Sequence, residues 1–325
     1  MVEGGEYYLE NSLIENIKAR VVAQRWCRPP IRILMYNNFG PADVERTPSS
    51  ALLFLFPEID NRPEIVIKLN RDITALRLEY EALCTIEKFM KGLAPAPLFF
   101  ESYGDWGILG MSSLYGKCLA AWDKRVKVLP IVVDRLLTCH LKLSGEIQRP
   151  YQFLSPQEVY AILKTVNGSP ELLDQISDLW ESVCIDLTKS ALPCIAQHGD
   201  FCFPNILFYE NNIFFLDWED FGEITLPSYD VFCLLLNLYV PDGSHQGNMF
   251  FQDRVLLRHA RQSVGRYFQG IGIPKELTRK LFEFTLIQQF LCSYRKKRSS
   301  TGLFVQRLVE YLKDPDRFLA LLTDR

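Results

Sequence analysis

The chain lacks any sign of a cysteine framework. Its nine cysteines run from Cys27 to Cys292 with no C-x-x-C spacing, and the odd count leaves at least one outside any disulfide scheme. Cys84, Cys139, Cys233 and Cys292 sit in apolar surroundings, so free thiols packed as small hydrophobes are expected rather than disulfides or a metal cage. Histidine is scarce as well: four residues, none at ligand spacing from a cysteine or another histidine, which argues against zinc. Positive charge is not in excess. A net charge of −3 argues against a nucleic-acid binder, which normally shows a basic face. The longest apolar run, Val231 to Val240, is interrupted by Asn237 and falls far short of the roughly 18 residues a membrane span needs. Met1 to Glu6 carries neither the basic start nor the apolar core of a signal peptide. The expectation is a soluble, cytoplasmic protein with no membrane span and no nucleic-acid partner, and with no repeat or low-complexity tract.

What is present suffices for two cores. Hydrophobic residues make up 48% and charged residues 23% of 325 residues, enough for about two domains of ~150 residues each. Leu13, Ile14, Ile17, Val21 and Val22 fall near one face of a helix. From Ile31 to Tyr115 the chain turns to short β-like runs. Ala51 to Phe56 and Glu64 to Asn70 read as a hairpin across the polar stretch Pro57 to Pro63. Ile73 to Met90 is helical by Leu76, Leu83, Ile86 and Phe89, and Leu98 to Tyr103 with Ile108 to Leu114 forms a second hairpin. Beyond Gly116 helices are expected over Pro130 to Leu143, Pro156 to Lys164, Glu171 to Ser190, Phe251 to Phe268, Lys275 to Cys292 and Phe304 to Leu312. Pro130 and Pro156 suit the first helical position, where no backbone donor is needed. The fold class is thus α+β with two lobes. A small antiparallel-sheet lobe with one key helix covers residues 1–112, and a larger, mainly helical lobe covers 113–325.

One short insert interrupts the helices: Asn205 to Tyr209, a turn at Glu210-Asn211-Asn212, then Ile213 to Leu216. Asp200 precedes Asn205 by five, and Asp217 follows the second strand. A hairpin sets the start of its first strand beside the end of its second, so Asn205 and Asp217 are expected close together, with Asp200 facing the same mouth. Two carboxylates and an amide oxygen make a hard, oxygen-rich set that suits Mg²⁺ on phosphates. Each aspartate alone would serve equally as a turn residue or cap.

The string His198-Gly199-Asp200-Phe201-Cys202-Phe203-Pro204-Asn205, with Asp217-Trp218-Glu219-Asp220-Phe221 and Pro227-Ser228-Tyr229-Asp230, resembles the aminoglycoside phosphotransferase and choline kinase group. That group shares the protein-kinase fold, in which H-R-D-x-x-x-x-N and D-F-G play the matching parts. The resemblance implies a phosphotransferase with Asp200 as catalytic base and Asn205 and Asp217 as Mg²⁺ ligands. It makes Asp230 the brace of the catalytic loop through backbone amides, and His198 an internal strut. It also calls for a strand lysine paired to a helix glutamate. Lys68, in Ile65-Val66-Ile67-Lys68-Leu69, stands on a strand that reads as buried on both faces, where a lone lysine is costly unless paired. Glu79 follows eleven residues later and lies four before Leu83, near the apolar face, whereas Glu81 reads as solvated.

ATP or GTP with Mg²⁺ is expected between the lobes, its base meeting the backbone of Met111 to Ser113. The acceptor is expected to be a hydroxyl of a small molecule such as a sugar, aminoglycoside or amino alcohol. Leu192-Pro193 and Leu226-Pro227 resemble members associated with bacterial surface glycans, which favours a sugar. The group's pattern is broken at one place. The phosphate-covering loop would be Glu45 to Ser50, without the glycine that lets backbone N–H groups approach closely. Ser49 and Ser50 are the candidate phosphate donors there, with Arg46 adding charge, and an ordinary connector is the alternative. That departure keeps open the reading of a non-catalytic nucleotide-binding scaffold. A protein kinase is a separate alternative, which Asp-Trp-Glu-Asp in place of Asp-Phe-Gly and the lack of an Ala-Pro-Glu segment disfavour. Arg295-Lys296-Lys297-Arg298 is expected as a solvated helix end or a patch for an anion, Pro241 to Asn248 as a connector or acceptor-site rim, and His140 and His259 as structural.

Overall fold

A computed structural model describes residues 11–36, 50–58, 60–119, 121–146, 150–165, 169–239, 251–296 and 301–322. The chain forms two compact units, Met1–Gly116 with Phe214–Glu219, and Lys117–Ile213 with Asp220–Arg325.

The first unit contains α1 (Asn11–Ala23), β1 (Ile31–Tyr36), β2 (Ser50–Pro57), β3 (Ile65–Asn70), α2 (Ile73–Phe89), β4 (Pro97–Tyr103) and β5 (Trp106–Ser112). The strands form one antiparallel sheet in the order β1-β2-β3-β5-β4. Period-two alternation buries Leu53 and Leu55 of β2 and Ile65, Ile67 and Leu69 of β3 against Leu13, Ile17 and Val21 of α1. Strand β1 is additional to the two expected hairpins. Its Ile-Arg-Ile-Leu-Met-Tyr run leaves Leu34, Met35 and Tyr36 exposed at the sheet edge, so no clean alternation marks it. Strand β3 is not buried on both faces as its composition implies: Val66, Lys68 and Asn70 share a half-buried face. Lys68 therefore stands on the side opposite α1.

The second unit is mainly helical: α3 (Trp122–Leu143), α4 (Pro156–Lys164), α5 (Pro170–Lys189), α6 (Tyr229–Asn237), α7 (Arg254–Ile271), α8 (Thr278–Arg295), α9 (Thr301–Lys313) and α10 (Pro315–Leu319). A two-stranded sheet, β6 (Ile206–Tyr209) with β7 (Asn212–Phe215), interrupts them. Pro156 opens α4 behind a Ser155–Glu158 capping box, as its position implies. Pro130 does not open a helix. It lies inside α3, which starts at Trp122. An interior proline leaves the carbonyl four residues back without its N–H, and here that carbonyl, Val126 O, receives His259 Nδ1 of α7 at 3.0 Å. A carbonyl only accepts, so Nδ1 carries the proton. Packing of α7 on α3 thus repairs the ladder where propensity alone would end the helix. No helix among the described residues is long and apolar enough to cross a membrane.

That contact sets a stability prediction. His259→Ala strands a buried acceptor and should cost about 1–2 kcal/mol in urea unfolding. Pro130→Ala supplies the missing N–H, so His259→Ala should cost markedly less in that background. Equal costs in the two backgrounds would show that the histidine does not serve the proline gap.

Candidate active site

The loop of the second unit that carries Asp200 is built outward from an extended pair. Ile195 N–H donates to Thr225 O at 2.9 Å, Gln197 N–H to Ile224 O at 3.0 Å, and Gly222 N–H to Gln197 O at 2.9 Å. The chain then turns at Gly199, with φ +90°. A Cβ there would lie 2.5 Å from Asp220 Cβ and 2.6 Å from Asp220 O, so only glycine fits. The turn is tied to α6. Asp230, fully buried in its first turn, accepts from His198 N–H at 2.6 Å and Gly199 N–H at 3.0 Å. His140 Nε2 also lies 3.2 Å from Asp230 Oδ2, while its Nδ1 is 2.6 Å from the Tyr267 hydroxyl. A carboxylate buried at a helix N-terminus gains from the dipole and from three donors, which offset its desolvation.

Asp200 is half-buried, and its main chain is held from both sides. Its N–H donates to His198 Nδ1 at 3.4 Å, and its carbonyl accepts from Asn205 Nδ2 at 2.9 Å. The Asn205 amide thereby spends its nitrogen on the loop, and its Oδ1 is an acceptor only. His198 is buried and edge-on to Phe201 at 5.5 Å.

A second charged group lies in the first unit. Lys68 Nζ stands 2.8 Å from Glu79 Oε2, 3.0 Å from Asp217 Oδ1 and 3.5 Å from Glu219 Oε2. Asp217 reaches it because the segment Phe214–Glu219 is anchored at both sides. Phe215 N–H donates to Leu93 O at 2.8 Å, and buried Trp218 donates Nε1–H to Phe215 O at 3.0 Å. Between the two anchors Asp217 takes φ +61°, a left-handed conformation that aspartate tolerates better than most residues. Burial alone would discharge Lys68, but Glu79, Asp217 and Glu219 outweigh it and hold the ammonium above its ordinary pKa. Burial pushes the Glu79 carboxyl up, with Lys68 opposing.

Ligand oxygens of Glu79, Asp217 and Glu219 all lie within 4.8 Å of one another. Three carboxylates against one ammonium leave a formal excess of two negative charges, the charge of one divalent cation, in hard oxygen donors that suit Mg²⁺. This donor set fits the metal that the sequence pattern implies.

Residues 149–262 match the model of the phosphotransferase enzyme family, APH, a stretch that holds both the Asp200 loop and the Asp217 string. Solved structures extend the likeness over nearly all of the chain. Choline kinase from Cryptosporidium parvum superposes with a TM-score of 0.61 at 13% identity, covering 93% of this chain and 96% of that one. The chain has the protein-kinase-like fold. An aminoglycoside 2′-phosphotransferase-IIIa mutant in complex with GDP gives 0.59 at 14% identity, covering 94% and 98%. Amicoumacin kinase in complex with AMP-PNP, Ca²⁺ and Ami gives 0.57 at 11%, covering 95% and 97%. At such identities the likeness is one of fold. Among curated proteins none matches the sequence.

Within the kinase-like fold the sequence-derived residues fall as follows. Lys68, Glu79 and Asp217 meet in the first unit, and His198, Asp200, Asn205 and Asp230 in the second. Glu81 is exposed. Met111 is buried in β5, paired with Val66, and Ser113 donates its N–H to Glu64 O at 3.0 Å. Ser50 opens β2 opposite Asn70, whereas Ser49, Arg46 and the connector 241–248 lie outside the described residues. Glu219 was not singled out from the sequence. Its signal was an acidic residue two positions beyond Asp217, legible only once the first unit claimed the whole Phe214–Glu219 segment. Nor does the basic run end in solvent throughout: Lys296 forms an ion pair with buried Asp220, while Lys297 and Arg298 are outside the described residues.

Proposed function

We propose that this protein is a small-molecule phosphotransferase that moves the γ-phosphate of ATP or GTP onto a hydroxyl. The observation that carries this reading is Lys68 among three carboxylates. A structural ion pair needs one partner, whereas a site for a divalent cation and a polyphosphate needs this excess.

Lys68, oriented by Glu79, pairs with phosphate oxygens of the nucleotide. Asp217 with Glu219, and Asn205 through Oδ1, are the residues that would hold Mg²⁺. When bound, the ion neutralises charge on the phosphoryl oxygens. Asp200 accepts the acceptor hydroxyl's proton as that oxygen bonds to the γ-phosphorus, and the nucleoside diphosphate leaves. Asp230 fixes the amides of His198 and Gly199 and so the position of Asp200, with His198 as the strut beneath. The backbone of Met111 and Ser113 meets the base. Ser113 does so through its carbonyl, because its N–H is engaged. Ser50 serves the phosphate end in this reading, and Ser49 is the second candidate phosphate donor. In this reading residues 1–112 serve the nucleotide, and 113–325 supply the base and the acceptor site. Amicoumacin kinase with AMP-PNP and the 2′-phosphotransferase with GDP support a purine nucleotide of either kind.

The test is γ-phosphate transfer from ATP and from GTP to sugars, amino alcohols and aminoglycosides, with a polypeptide acceptor in parallel. Transfer to a small-molecule hydroxyl, lost on chelation with EDTA and restored by Mg²⁺, is the expected result. Nucleotide binding without turnover would support the scaffold reading, and labelling of polypeptide alone the protein-kinase reading.

A further inference from the structure

The helical unit contains a cavity of about 550 Å³ lined by Tyr151, Gln152, Glu223, Thr225, Gln288 and Arg295 among others, a size typical of small-molecule sites. One wall is the segment Gly222 to Thr225. That segment is hydrogen-bonded to Ile195 and Gln197, which lead directly into His198, Gly199 and Asp200. Another part of the lining is the end of α8, where Gln288 and Arg295 are seven residues apart and share one helix face. Gln288 is 1% exposed and pinned. The Tyr151 hydroxyl donates to its Oε1 at 2.8 Å, and its Nε2 lies 3.2 Å from Cys292 Sγ. Tyr151 is itself set edge-on against Phe284 at 5.1 Å. Such a rigid, polar wall orients a ligand rather than merely accommodating one.

Charge then narrows the ligand. Among the described residues, the cavity lining holds one carboxylate, Glu223, and one guanidinium, Arg295. A polycationic aminoglycoside would meet a fixed cation there, with one acid to answer several ammonium groups. The two cations that end α8 are treated differently. Lys296 is neutralised by buried Asp220, while Arg295 has no carboxylate partner among the described residues. A planar guanidinium at a cavity wall matches a carboxylate or phosphate through two parallel hydrogen bonds.

We infer that this cavity binds the acceptor, and that the acceptor is a hydroxylated small molecule bearing one anionic group, carboxylate or phosphate, held by Arg295. This deepens the phosphotransferase reading and rests on it for the word acceptor. Tyr151 and the Gln288 it holds form an ordered part of the cavity lining.

The experiment reads binding rather than turnover. Titration of the full chain, by calorimetry or ligand-observed NMR, compares glucuronate, glucose 6-phosphate, glycerate, glucose, glucosamine and kanamycin. A charge-assisted pair is worth about 1.5–3 kcal/mol, so at least one anion should bind roughly ten- to a hundredfold more tightly than glucose. Arg295→Leu should abolish that preference, and Arg295→Lys, which keeps the charge without the fork, should retain part of it. Preference for glucuronate and glycerate over glucose 6-phosphate would assign a carboxylate, and the reverse a phosphate. Anions binding no better than glucose, kanamycin binding best, or an Arg295→Leu chain with the preference unchanged would each overturn the inference. A chain that transfers phosphate but favours cations would lose only this proposal. One that binds anions at Arg295 yet transfers nothing would lose the phosphotransferase reading instead.

Discussion

Asp200→Asn is expected to lower kcat by about two to four orders of magnitude while leaving nucleotide affinity nearly unchanged. An amide of the same shape cannot take a proton from the acceptor hydroxyl, and that is the contribution a positioned general base makes. The substitution should spare the fold. The loop is held by backbone groups, with Asn205 on the Asp200 carbonyl and Asp230 on the amides of His198 and Gly199, and none of these bonds uses the Asp200 carboxylate. Steady-state rates with a saturating acceptor, together with nucleotide binding and thermal melting, test this. A variant that melts like the parent and binds nucleotide but turns over slowly supports the base. Undiminished kcat would assign the proton to another group and remove Asp200 from the chemistry.

Asp230→Ala should be the most damaging substitution for stability in the helical unit, at about 3–5 kcal/mol. It removes the acceptor for two backbone amides and for His140, and all of these lie at a fully buried position. Breaking a buried charged network by deleting one partner costs this much because the remaining groups stay dry and unpaired. Activity should fall with it, since the amides it orients carry Asp200. Asp230→Asn keeps one acceptor oxygen and should fall between parent and Ala in both stability and rate. Urea unfolding followed by the fluorescence of buried Trp180, in the same unit, measures the first. A loss below about 1 kcal/mol for Asp230→Ala would mean that the loop holds its shape without this brace.

Much of the candidate site was legible because its parts are local. Asp200, Asn205 and Asp217 stand within one short stretch, and the turn at Gly199 tolerates no other residue. Glu79 was separable from Glu81 because helix periodicity alone puts one toward the apolar side. Other features left no local trace. Edge strand β1 exposes three successive large side chains, which hides its period. Pro130 reads as a helix start because the partner that makes an interior proline tolerable, His259, arrives from another helix. Lys296 reads as solvated because nothing nearby in the chain announces Asp220.

The sequence by itself determined the α+β class, most of the strands and helices that carry the candidate site residues, and the candidate catalytic string. Each of these depends on side-chain period and turn chemistry acting over a few residues. Only the tertiary structure decided the rest: that Glu219 joins Lys68, that Asp217 comes to it across 149 residues, that Pro130 can sit inside α3, and that Arg295 lines a cavity while Lys296 is spent on Asp220. The reason is electrostatic and steric. A buried charge or orphaned carbonyl must find its partner wherever packing brings one, and that choice belongs to the folded arrangement rather than to neighbours along the chain.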